Sequence, residues 1–345
     1  MGKPALPGRD ALDRVLAAIP PASGAVVMGT GIVSIGLGLD HRKSLSVIVF
    51  VIAVAAWVTL GLLLGARTLR DRGRVRREAL SPAALTGVAA TAVLGARVSG
   101  LGWDQGAIAL LVIATLMWLV LIAPVLRSWA TPTVGVAFMT AVSTESLAVL
   151  GAALAIGEHA QWLLYAALVP FVVGLLLYLL VLRSFDFRQL VEGRGDHWIT
   201  GGALAISTLA AARITLAARA LHELSALSGE LKTISLVLWA VTIAWLPVLL
   251  AAEAMRPRPA YDVRRWATVF PVGMYAACSF DAGAVAQVSG ITDFARVWVW
   301  VGLAVWLVVL AGMLRRVGHL EQGEHPAASA ERVEEVAPAA RRPPS

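Results

Sequence analysis

The sequence predicts an all-α polytopic membrane protein with ten transmembrane helices. Three observations carry the prediction. The 345 residues are 58% hydrophobic and 15% charged, against about half and a quarter in soluble domains. The mean hydropathy is +0.76. The apolar residues also come in charge-free blocks, such as 44–66 and 160–182, and about 20 apolar residues span a bilayer as a helix. Soluble enzymes, secreted disulfide scaffolds and disordered chains are excluded on these grounds.

Residues 1–19 read as a cytoplasmic N-terminal segment. It is polar over 1–14 and has no small-residue cleavage site, so it is not a secretory leader. The ten-helix transmembrane domain, 20–316, holds the ten spans. The first two, 20–39 and 44–66, are followed by an Arg-rich loop, 67–81. Spans 82–100, 105–124, 132–157 and 160–182 come next. A mixed-charge loop, 183–197, leads to 198–219 and 232–254. A loop with four Arg and two Pro, 255–265, precedes the last two, 266–288 and 294–315. Backbone amides in lipid must be satisfied within their own segment, so each span is a helix. Residues 317–345, rich in Ala, Pro, Glu and Arg, read as a disordered cytoplasmic tail.

The basic residues give the orientation. Alternate segments, starting from the N-terminus, carry 22 of the 29 Lys and Arg, and the opposite loops carry 5. Arg97 and Arg213, inside spans, are counted with neither side. The positive-inside bias therefore expects a multi-pass protein of the plasma (inner) membrane with both termini cytoplasmic. Trp103, Trp129, Trp162, Trp198 and Trp266 sit at span ends, as interfacial anchors do. The net charge of +7 is spread between apolar blocks, so no nucleic-acid partner is expected.

Ionisable residues inside a bilayer are costly and mark function. Four lie within spans: Arg97, Glu145, Arg213 and Asp281, all on odd-numbered helices. The odd spans also carry the flexible or kinking residues Pro20, Pro21, Gly29, Gly31, Pro132, Gly201, Gly202 and Pro271, with Pro170 and Pro247 as exceptions on even spans. This alternation predicts five hairpins, each with one helix facing a polar interior and one facing lipid. Arg97, Glu145, Arg213 and Asp281 are thus pore-lining candidates. Arg97 alternatively snorkels to the interface, and Asp281 alternatively marks only the extracellular mouth. Glu145 has three readings: a structural ion pair, a carboxyl hydrogen-bonded to its neighbours, or a proton-coupling group. Gly29 and Gly31 permit close helix packing or bring backbone to a pore.

Catalytic and cofactor patterns are missing. The six His residues lie in loops, at span edges or in the tail. One cysteine, Cys278, excludes an intrachain disulfide and a cysteine-rich metal site. No GxSxG, HExxH or P-loop occurs, and Met28-Gly29-Thr30-Gly31 lies inside an apolar helix, not after a strand. Hence no metal, no cofactor and no catalytic residues are expected. The polar residues suit a transporter or channel and not an enzyme.

Three stretches carry a resemblance. Val26-Val27-Met28-Gly29-Thr30-Gly31-Ile32-Val33-Ser34 lies on helix one. Asp196-His197-Trp198-Ile199 through Ala205-Ile206-Ser207-Thr208-Leu209-Ala210 opens helix seven, and Val269-Phe270-Pro271-Val272-Gly273-Met274-Tyr275 lies on helix nine. In this order they resemble the tellurite-resistance/dicarboxylate transporter family, over about residues 15–316. That family includes a bacterial tellurite-resistance anion channel, fungal malate and sulfite transporters, and plant slow anion channels. The resemblance implies five helical hairpins around a quasi-fivefold central pore, with odd helices inside, and a homotrimer with a pore in each protomer. It implies that Phe270 plugs the pore as a gate and that Pro271 helps to set the ring. Either helix nine starts near Asp262, or this gate lies inward of the bilayer middle. The expected cargo is an anionic small molecule, inorganic or an organic acid such as a dicarboxylate. The alternative is a proton-coupled dicarboxylate or sulfite carrier with Glu145 taking the proton.

Overall fold

The computed structural model describes residues 16, 19–192, 195, 197–257 and 261–321. The expected N-terminal segment, apart from Leu16 and Ile19, lies outside the described residues, as do Asp196 of the helix-seven motif and positions 322–345 of the expected tail.

Ten helices are long and apolar enough to cross a bilayer. They are α1 (Gly24–Leu39), α2 (Lys43–Arg70), α3 (Thr86–Ser99), α4 (Asp104–Arg127), α5 (Met139–Gly157), α6 (Gln161–Arg183), α7 (Trp198–Ala220), α8 (Ser228–Met255), α9 (Trp266–Ala286) and α10 (Ser289–Glu321). Among the described residues there is no strand, only an isolated bridge between Thr133 and Phe185.

Most differences from the expected spans have a local cause. The fifth helix does not start at Pro132. Thr133 instead donates its N–H to the Ser184 carbonyl (2.8 Å) and accepts from the Asp186 N–H (3.0 Å), which holds the chain extended. The ninth ends at Ala286 because Gln287 turns left-handed, at φ 59°, and its N–H returns to the Gly283 carbonyl. The tenth starts at Ser289 and continues to Glu321, so residues 317–321 are helix where tail was expected. Kinking residues are also not confined to the odd helices. Pro20, Pro21 and Pro132 precede their helices, whereas Pro124, Pro170 and Pro247 lie inside α4, α6 and α8. A proline costs little at a helix start, where its missing N–H would be unpaired anyway.

The helices pack as five hairpins, α1–α2 through α9–α10. The odd helices also touch one another in sequence, α1–α3–α5–α7–α9, and α9 closes back onto α1. They are the inner helices, 61–94% buried over their apolar windows, against 11–33% for the even ones. The even helices show their Leu, Val and Ile outward, as a lipid-facing surface should.

Two devices hold this ring together. Lipid tails are as apolar as Leu, so helices in a bilayer associate through close packing and hydrogen bonds. Close packing comes from glycine. Opposite Gly31 stands Val93, opposite Gly95 Leu150, opposite Gly202 Pro271 and opposite Gly273 Ile32. A Cβ at any of the four would sit within 2.6–2.7 Å of its neighbour. These contacts join α1 to α3, α3 to α5, α7 to α9 and α9 to α1. Hydrogen bonding comes from tryptophan. Trp57 of α2 donates its indole N–H to Thr91 of α3 (3.0 Å), and Trp118 of α4 to Thr144 of α5 (2.8 Å). Trp239 of α8 donates to Ser279 of α9 (2.9 Å), and Trp306 of α10 to Thr30 of α1 (3.1 Å). Each outer helix so bonded reaches past its hairpin mate to the next inner helix, which locks neighbouring hairpins together.

The glycine contacts are testable by overpacking. Gly31→Leu is expected to lower stability by about 1–3 kcal/mol. Gly61→Leu on the lipid side of α2, where a Cβ meets nothing within 4 Å, should leave stability nearly unchanged. Unfolding titrations of both variants in mixed micelles check this.

Candidate functional site

The starts of the five inner helices converge on one cavity of about 340 Å³. Each contributes a side chain: Met28 from α1, Thr86 from α3, Met139 from α5, Ile199 from α7 and Phe270 from α9. All five inner helices therefore begin at the same end of the ring, which is the Arg-rich side of the chain. Their entrances are built alike. Short 3-10 turns precede four of them, at Pro21–Ser23, Pro82–Leu85, Gly135–Phe138 and Val263–Arg265. Ser81 and Asp262 cap two of these turns by accepting the N–H of Ala83 (3.3 Å) and Arg264 (2.9 Å).

This geometry has an electrostatic consequence. A helix N-terminus carries roughly half a positive charge and several unpaired N–H groups. Five of them face one cavity, and the exposed Arg264 stands at its rim. The cavity walls are otherwise largely apolar, so this field is screened less than it would be in water. Such an arrangement is suited to a small anion.

Phe270 lines the cavity and is 2% exposed. The 3-10 turn after Asp262 starts the α9 segment earlier than position 266, yet Phe270 still lies only four residues into the α-helix proper. The α-helix thus starts at the expected position, with one 3-10 turn added before it. Pro271 packs against α7 at Gly202. Having no N–H, it also leaves the Ala267 carbonyl without its helical donor.

The other candidates lie elsewhere. Gly29 packs against Val269 and Trp266, and Gly31 against Val93, so both serve helix seams. Arg213 is bonded to Asp281, joining α7 to α9 in the half of the ring away from the cavity. Its charge is thus offset by a carboxylate and is not a lone positive field. Arg97 donates through Nε to Ser34 Oγ (3.1 Å), in the seam between α3 and α1. Ser34 in turn donates to the Ser46 carbonyl of α2 (2.7 Å). Arg97, Arg213 and Arg219 all lie toward the C-terminal ends of inner helices, where cations are favoured by the helix dipole. Arg219 makes this explicit, donating to the Val285 carbonyl at the end of α9 (3.0 Å).

Glu145 is fully buried in the seam of α5, α6 and α7. Ser207 Oγ of α7 lies 2.8 Å from both of its carboxyl oxygens. Gly174 of α6 makes the room: a Cβ there would stand 2.2 Å from Glu145 Cγ. No ion pair to Glu145 is formed among the described residues, so the expected structural pairing with a cation is absent. Where four neighbouring hairpin junctions have a tryptophan bonded to a hydroxyl, this one has a carboxyl bonded to a serine.

Residues 18–314 match the family described as voltage-dependent anion channel. The chain belongs to that family. Voltage-dependent anion channels of this family include the tellurite-resistance/dicarboxylate transporters that the motifs resemble. Two uncharacterized membrane proteins of Mycobacterium tuberculosis, from strains CDC 1551 and H37Rv, are each 32% identical over 159 residues. That stretch is 45% of this chain and 77% of each relative. The protein is thus a multi-pass membrane member of an anion-channel family.

Thr86, Met139 and Gly174 were not singled out in the sequence, and Met28, Ile199 and Ser207 entered only as parts of motifs, without these roles. Met28, Thr86, Met139 and Ile199 meet only where the five helices converge, and Ser207 and Gly174 acquire their roles beside Glu145. A signal did exist for the entrances: Pro21, Pro82 and Asp262 are helix-start residues on odd spans.

Two measurements probe these contacts. A double-mutant cycle of Arg213→Gln and Asp281→Asn should give a coupling of about 1–2 kcal/mol by unfolding titration. Gly174→Val should destabilise by about 1–3 kcal/mol, because valine collides with the Glu145 side chain. Combining it with Glu145→Ala should restore part of that loss.

Proposed function

We propose that the protein passes small anions, inorganic or organic acids, along the axis of the five-helix ring, and that Phe270 occludes the path. The observation that carries this reading is the cavity on which all five inner helix starts converge, with Phe270 in its lining. Anions gather there in the field of five N-termini and Arg264. A buried aromatic ring in an apolar constriction then excludes water and raises the barrier to a hydrated ion. The 22-to-5 distribution of basic residues supports an orientation with this cavity and both termini on the cytoplasmic side of the plasma membrane. The family resemblance supports a homotrimer with one path per protomer.

One observation favours a second reading, a proton-coupled dicarboxylate or sulfite carrier. Glu145 is fully buried and bonded to Ser207 alone among the described residues. A change in its charge would be felt across the α5–α7 contact, because burying an unpaired charge is costly. It lies beside the proposed path and not on it, which ranks this reading second.

Anion flux into proteoliposomes separates the two. On the channel reading, Phe270→Ala raises chloride or nitrate flux at least about tenfold, equivalent to removing about 1.4 kcal/mol of barrier. The increase should not depend on an imposed pH gradient. A wild-type protein that accumulates malate or sulfite only with the gradient, and loses this on Glu145→Gln, would establish the carrier instead.

A further inference from the structure

A second cavity lies at the edge of the bundle, on the Arg-rich side, and it is unlike the first. It measures about 580 Å³ and opens between the short helix Arg72–Glu78, with the turn after it, and the C-terminal end of α4. Arg76 stands on the short helix Arg72–Glu78 and Arg127 on α4. Its floor is apolar, made by Val120, Leu121 and Pro124 of α4. Ser128 Oγ donates to the Leu80 carbonyl (2.6 Å), which ties the loop to the helix end and fixes the width of the groove.

The charges here are available. Glu78 is occupied by Arg67 and Arg74. Arg76 and Arg127 are exposed and make no ion pair or hydrogen bond among the described residues. The floor continues onto the lipid-facing side of α4, where Leu116, Leu119 and Val120 are 58–71% exposed. Pro124 adds an acceptor. Having no N–H, it leaves the Val120 carbonyl without its helical donor, and both residues line the groove.

We infer that this groove binds an anionic phospholipid of the Arg-rich leaflet. The phosphate lies between Arg76 and Arg127, and an acyl chain runs along Val120 and Leu116. Two guanidinium groups from separate elements clamp a phosphate by charge-assisted hydrogen bonds. Basic pockets at helix ends on this side of a membrane are suited to anionic headgroups. A free anion would gain the two arginines but not the apolar floor, so the groove matches a lipid and not a soluble ion. Phosphatidylglycerol has the required parts: one negative phosphate and two acyl chains.

The test uses the full-length protein, delipidated in detergent, with native mass spectrometry and thermal unfolding as readouts. Phosphatidylglycerol should remain bound and raise the melting temperature, while phosphatidylcholine should do neither. Arg76→Gln/Arg127→Gln should weaken phosphatidylglycerol binding roughly thirtyfold, two arginines at the usual strength of a headgroup contact. Arg183→Gln/Arg188→Gln removes the same charge from the same side, outside the groove, and should change binding little. Equal losses in the two double variants would overturn the site in favour of general surface attraction. Equal protection by inorganic phosphate would overturn the lipid assignment. A groove variant that binds phosphatidylglycerol as the wild type does would overturn the proposal outright.

Discussion

Everything in this fold depends on how helices attract one another where there is no water to expel. In lipid the usual driving force for burying Leu and Val is lost, so the helices need contact and hydrogen bonds. The glycines at 31, 95, 202 and 273 supply the contact, each facing a branched or bulky side chain of the next inner helix. The tryptophans at 57, 118, 239 and 306 supply the bonds. A tryptophan N–H in hydrocarbon has no competing partner, so a hydroxyl on the neighbouring hairpin is a strong guide to register. Together they explain why the inner helices form a closed ring and do not slide.

Closing a ring from hairpins has a second effect. Every inner helix is the first strand of its hairpin, so all five point the same way. Their dipoles add instead of cancelling. At one end five amino termini face a cavity with Arg264 at its rim. At the other, Arg97, Arg213 and Arg219 sit near carbonyl ends, with Asp281 offsetting Arg213. The field on the basic side would favour an anion, and it is produced by the backbone more than by side chains. Glu145 stands apart from this end, against Gly174 of an outer helix and bonded to Ser207.

Much of this was legible in the chain. Ten helices, the alternation of polar and plain spans, and the family followed from apolar block lengths, from the odd positions of Arg97, Glu145, Arg213 and Asp281, and from the motifs around Gly29, Ser207 and Phe270. The reading of those charges was less secure, because a residue number gives depth along a helix but not direction around it. Arg213 resembled a free positive charge until Asp281, 68 positions later, proved to be its partner. Glu145 resembled a pore group until Gly174 of an outer helix proved to be its neighbour. Boundaries shifted for similar reasons. Thr133 is extended because a loop some fifty residues later offers it hydrogen bonds.

The sequence by itself determined that the chain lives in a membrane, how many times it crosses, and which helices are chemically distinct. Those properties are local: they depend on the composition of about 20 consecutive residues and on the sign of the charges between them. The tertiary structure alone decided which side chains meet. It brought five ordinary helix starts to one cavity, paired Arg213 with Asp281, and set Arg76 across a groove from Arg127. These are angular and long-range facts, and they arise from small residues and tryptophan bonds that fix each helix's rotation against its neighbours.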